Sequence, residues 1–181
     1  MEFEQALSEK EVFIFGLDNE IYPEKDYLLQ VYYLFAHMME YTEQLEAAEI
    51  LKFMSEYYLN RGEEGLFAAT ADKFSIPVTR EANLNNLRQS ARLPLKLLLY
   101  KEVLSKMQTI VQQQKKVVLL VPGDPAMQLN KIRQIEWNGL ENHIKVYFLE
   151  ELSLQEEDSS AYISRECDTS PEALYWCTKK N

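Results

Sequence analysis

The sequence predicts an α/β fold: a small parallel sheet with a bundle of helices inserted after its first strand. Val12-Phe13-Ile14-Phe15 and Val117-Val118-Leu119-Leu120-Val121 are short, unbroken apolar runs, the pattern of strands buried on both faces. Between them the apolar period is helical, and after them strand and helix patterns alternate, which is the order that builds a parallel sheet.

Each element follows from local spacing. Gly16 ends the first run, and Tyr27, Leu28, Val31, Leu34, Phe35 and Met38 then recur at steps of three and four, which puts them on one helix face. Further helical stretches are expected at about 44–60, 63–74, 80–91 and 95–113, punctuated by Gly62, Gly65, Pro77 and Pro94. The domains expected are therefore residues 1–22 with 114–181 as the core, and 23–113 as the inserted helical subdomain.

Pro122-Gly123-Asp124-Pro125 closes the second run, with Pro125 suited to a first helical turn. The helix that follows takes Met127, Leu129, Ile132, Ile135 and Trp137 as its apolar positions and stops at Gly139. Ile144 to Leu149 and Ala173 to Cys177 read as the third and fourth strands. The acidic segment 150–160 reads as a solvated loop or short helix.

Composition excludes several classes. The chain has 181 residues, 46% of them hydrophobic, enough for a core that folds without staples. A net charge of -10 opposes a polyanionic backbone, so nucleic acid is not an expected partner. Two cysteines, Cys167 and Cys177, make no disulfide framework and read as reduced thiols. The N-terminal string is acidic and its first apolar run short, unlike a secretory leader, and no apolar run reaches the roughly 18 residues of a membrane span. A cytoplasmic location and no membrane partner are expected.

The string Phe13-Ile14-Phe15-Gly16-Leu17-Asp18-Asn19-Glu20-Ile21-Tyr22-Pro23 resembles the first motif of the haloacid dehalogenase (HAD) superfamily, a buried strand that ends in Asp-x-Asp. It looks most like the branch that includes the pyrimidine 5'-nucleotidases. The helical insert, RGEEGLF at 61–67, and VPGDPAMQLNKIRQIEWNGL at 121–140 resemble the cap and second motif of that family. The resemblance implies a HAD-like Rossmannoid parallel sheet, with a helical-bundle cap inserted after the first strand.

It also implies a chemistry that this sequence has lost. In the family the first aspartate attacks phosphorus and ligates magnesium, and that position is Gly16. The second aspartate, a general acid and base, is kept as Asp18, which also reads as a turn acid bonding local amides. The family's usual Thr is replaced by Glu20. In the second motif, Val121 stands in the place of a hydroxyl donor, with Pro122, Gly123 and Asp124 after it.

The third motif should bring a lysine, yet residues 146–164 contain no Lys or Arg, so a compensating charge must come from elsewhere, for example Lys145 or Arg165. The acids of the fourth motif, which complete an octahedral shell, are replaced by Thr178-Lys179-Lys180-Asn181. The implied magnesium site is lost, and neither a catalytic residue nor a cofactor is expected.

The reading is thus a HAD-like pseudoenzyme that binds a small ligand or a protein partner, self-association included. Asp18, Glu20 and Asp124 gather as acids near the strand ends, suited to a cation or an amine, or simply solvated in turns. One alternative is a hydrolase with a non-standard nucleophile, for which Cys167, Cys177, His37 and His143 are the other candidates. Another is an assembly role through the cap aromatics Tyr27, Tyr32, Tyr33, Phe35, Tyr41, Phe53, Tyr57 and Tyr58, most of which serve equally well as core.

Overall fold

A computed structural model gives the architecture; it describes residues 2–153 and 158–177. In chain order, helix α1 (Phe3–Glu9) precedes strand β1 (Val12–Phe15), followed by helices α2 (Glu24–Glu43), α3 (Ala47–Arg61), α4 (Leu66–Phe74) and α5 (Glu81–Ser90). Strand β2 (Leu97–Leu98), helix α6 (Lys101–Gln112), strand β3 (Lys116–Val121), helix α7 (Pro125–Arg133) and strand β4 (Ile135–Glu136) come next. Strand β5 (Ile144–Phe148), helices α8 (Leu149–Ser153) and α9 (Ser159–Glu166), and strand β6 (Leu174–Trp176) complete the described chain.

The fold is α/β, as expected. Among the described residues its main sheet has four strands in the order β5-β3-β1-β6, and every pairing is parallel. Phe13 pairs in register with Val117 on one side and Tyr175 on the other, so β1 is central and wholly buried. Alternation sends Val12 and Ile14 to one face, where they pack with Val118, Ile163 and Cys167, so that α9 covers that face. Phe13 points the opposite way, its ring 6.0 Å from that of Phe3 on α1. Burying each such side chain contributes about 1.5–3 kcal/mol.

The chain divides into two compact units, residues 1–24 with 97–181, and residues 25–96. This division falls at 96/97, whereas the sequence pattern placed the end of the helical insert at 113/114. Helix α6 belongs with the sheet, where its amphipathic face buries Met107 and Ile110. Strand β2 pairs in parallel with β4 through Leu97 and Ile135, a short second sheet the apolar pattern did not reveal. Helix α7 also ends earlier than its apolar spacing suggested, because Ile135 serves this pairing and Trp137 folds back to donate from Nε1 to the Ile132 carbonyl at 3.1 Å.

In the second unit the aromatics of the helices divide. Tyr27, Tyr32 and Phe35 are fully buried, whereas Tyr33 and Tyr41 are exposed. The Tyr32 hydroxyl donates to Glu63 Oε1 at 3.0 Å, and the same oxygen holds Arg88 Nη2 at 2.7 Å. Burial, then the Glu63 charge, pushes the Tyr32 phenol far above its ordinary range. Among the described residues, no helix is long and apolar enough to cross a membrane.

Candidate functional site

Open parallel sheets present their ligands' crevice at the carboxyl ends of the strands, and there β1 delivers Gly16, Asp18 and Glu20 while β3 delivers Val121, Gly123 and Asp124. All these positions belong to the first unit. The structure places them at the ends of two adjacent strands, but gives them unequal roles.

Gly16 does more than lack a side chain. Its N–H donates to Glu20 Oε2 at 3.0 Å. A Cβ built on Gly16 would lie 2.6 Å from both the Cδ and Oε1 of Glu20. The Glu20 carboxylate therefore fills the space that a side chain at position 16 would need. Because it is the end of a flexible chain, it could be displaced, at the loss of its bond to the Gly16 amide.

Asp18 is the hub of the site, and it does not bond turn amides. Its Oδ1 accepts from the Tyr22 hydroxyl at 2.6 Å. Its Oδ2 accepts from Gln128 Nε2 at 3.0 Å and Lys131 Nζ at 2.7 Å. Lys131 is 1% exposed, and its ammonium also lies 3.5 Å from Glu24 Oε1. A buried ammonium between two carboxylates is an ion pair whose members cannot be removed singly without leaving an uncompensated charge.

The cation beside Asp18 thus comes from α7. Lys145 Nζ donates to the Glu166 carbonyl at 3.2 Å, and Arg165 stacks on Tyr162 with 5.0 Å to the ring centroid, so both sequence candidates act elsewhere. The signal for Lys131 was present. Asp124, Gln128 and Lys131 recur at steps of four and three, a polar face on a helix read only for its apolar positions.

The end of β3 is built by capping. Asp124 accepts from the Met127 N–H at 2.8 Å and closes the start of α7, with Pro125 in its first turn. Val121 is fully buried. Gly123, at φ +96°, donates its N–H to Glu150 Oε1 at 2.5 Å. Gln128 is 5% exposed and donates from Nε2 to Asp18 and, at 2.8 Å, to the Pro122 carbonyl. Its Oε1 has no partner among the described residues, an omission that costs about 1–3 kcal/mol if nothing supplies a donor.

The remaining candidates stand apart. His37 is exposed on α2 with Glu40 at 3.1 Å, and His143 is exposed on the turn before β5. Cys167 is buried among core residues. Cys177 is half-buried beside a cavity of about 150 Å³ lined also by Glu20, Phe15, Glu102, Lys106 and Tyr175. Burial pushes its thiol up to about 12 against the opposing pull of Lys106, with a smaller upward push from the Glu20 charge, which disfavours the thiolate. Lys179 and Lys180, expected after the fourth strand, lie outside the described residues.

These donors do not fit a magnesium ion. Both Asp18 oxygens are engaged and one is held by an ammonium, and among the described residues no group of three or more His, Cys, Asp or Glu converges to hold a metal.

No family model matches the chain, and no curated protein matches its sequence. Among solved structures, it is similar to a haloacid dehalogenase-like family hydrolase from Xanthomonas campestris. The TM-score is 0.47 at 14% identity, over 93% of this chain and 72% of that one. A likeness of that degree carries no argument about activity. What the site can do has to be read from its own residues.

Proposed function

We propose that this chain is a HAD-type scaffold that binds rather than turns over: a pseudoenzyme whose crevice at the strand ends has lost phosphoryl transfer, with residues 25–96 serving as its cap. The observation that carries this reading is the Glu20 carboxylate lodged in the space of a side chain at Gly16. A carboxylate nucleophile must reach phosphorus in line from the strand end, and Gly16 offers none. Asp18, bonded to Tyr22, Gln128 and the buried Lys131, serves as a structural ion-pair partner. Losses within one catalytic unit are not rescued by its surviving members.

The test is a panel of phosphate monoesters, pyrimidine nucleotides included, assayed with and without magnesium. No turnover above background is expected. Magnesium-dependent turnover that Asp18→Asn abolishes would overturn the reading.

A second reading has one specific observation in its favour. Glu20 places a carboxylate close to where the lost one would stand, so a hydrolase with a relocated nucleophile is the alternative. Turnover that survives in the parent chain and vanishes in Glu20→Gln would select it.

A further inference from the structure

The crevice has the opposite polarity from a phosphate site. Among the described residues, Asp18, Glu20, Glu24 and Glu150 bring carboxylates to these strand ends, where Lys131 supplies a buried ammonium and the exposed Lys106 borders the cavity beside Glu20. Two of the backbone N–H groups that could greet an anion, those of Gly16 and Gly123, are already held by Glu20 and Glu150.

Gln128 adds an independent sign. Its Nε2 donates to two acceptors, Asp18 Oδ2 and the Pro122 carbonyl, which fixes the amide's orientation and leaves Oε1 as the acceptor without a partner among the described residues. The amide bridges the ends of β1 and β3, and a Cβ on Gly123 would lie 3.2 Å from its Nε2. A buried acceptor in an acidic crevice calls for a ligand that brings both hydrogen-bond donors and positive charge.

We propose that the carboxyl ends of β1 and β3 form a binding site for a small organic ammonium compound, whose N–H groups donate to Gln128 Oε1 and to the carboxylates of Glu20 and Glu150. Lys131 shows the chemistry in miniature, an ammonium 2.7 Å from Asp18. Glu150 is exposed, and its carboxylate accepts from the Gly123 N–H. A divalent ion fits less well, because no group of three acids, histidines or cysteines among the described residues converges on one point. The inference rests on the non-catalytic binding reading above.

The experiment is thermal denaturation of the full chain with 1,4-diaminobutane, tetramethylammonium, magnesium or inorganic phosphate. The diamine should raise Tm by about 3 °C at ten times its dissociation constant. Tetramethylammonium, a cation without N–H donors, should leave Tm unchanged. Gln128→Leu should abolish the diamine shift; because that change also removes two structural bonds, Glu150→Gln at the exposed position is the second variant, expected to weaken binding at least fivefold. No shift with the diamine, an equal shift with tetramethylammonium, or a shift with phosphate instead would overturn the inference. The phosphate monoester assay on the same preparation separates the two readings. Absent turnover with absent amine binding removes this inference alone, whereas turnover removes the reading beneath it.

Discussion

At the carboxyl ends of β1 and β3, the backbone N–H groups of Gly16 and Gly123 are held by the carboxylates of Glu20 and Glu150. At the amino-terminal end of the same sheet the roles reverse: the ammonium groups of Lys115, Lys116 and Lys145 donate to the carbonyls of Lys10, Cys167 and Glu166. Glu11, 3.7 Å from Lys115, supplies a carboxylate there, and the lysines border an open cavity of about 400 Å³. Side chains satisfy backbone groups in both places, acids on strand-end amides at one end and bases at the other on the carbonyl before β1 and on the last carbonyls of α9.

The difference lies in burial. The acidic end keeps Lys131 and Gln128 almost wholly out of solvent, whereas at the basic end Lys116 and Lys145 are exposed and only Lys115 is largely covered. Charges out of water depend on their partners, while exposed ones are screened. The acidic end should therefore be far more sensitive to change.

The largest effect expected is for Lys131→Met, which strands Asp18 at 19% side-chain exposure without its ammonium. Chemical denaturation should show a loss of about 3 kcal/mol, and a loss under 1 kcal/mol would break the comparison. Next is the thiol of Cys177, at the acidic end beside Glu20. With its pKa raised to about 12, it stays protonated at pH 9, and iodoacetamide should modify it on the order of a hundredfold more slowly than a free thiol. The sign follows: the folded state holds this proton more tightly, so its contribution to stability is complete below the ordinary thiol range and is lost as pH rises through about 12. The smallest effect is for Lys145→Ala at the basic end, where less than about 0.5 kcal/mol should be lost in the same denaturation experiment.

Much of the fold was legible because its signals are local. Val12 to Phe15 and Val117 to Val121 announced buried strands by unbroken apolar runs, and Pro125 announced the start of α7. The β2 and β4 pairing was hidden because two-residue strands leave no period, and Ile135 looked like one more position on a helix. At the site, the absence of a side chain at Gly16 was readable from one letter. What replaced it was not, since Glu20 reaches back four residues and Lys131 crosses more than a hundred residues of sequence to Asp18. Such pairings are set by the sheet's register, which brings the ends of β1 and β3 side by side.

Glu20 over Gly16 also bears on the direction in which such a site can evolve. A lone Gly16→Asp change would put a second carboxylate against the first, and like charges that close cannot both ionise. A lone change at Glu20 would remove the acceptor now on the Gly16 amide and return nothing. Each single step toward a carboxylate at position 16 meets a penalty that only the other step relieves. The pair behaves as a ratchet, one that holds the crevice in its present acidic state.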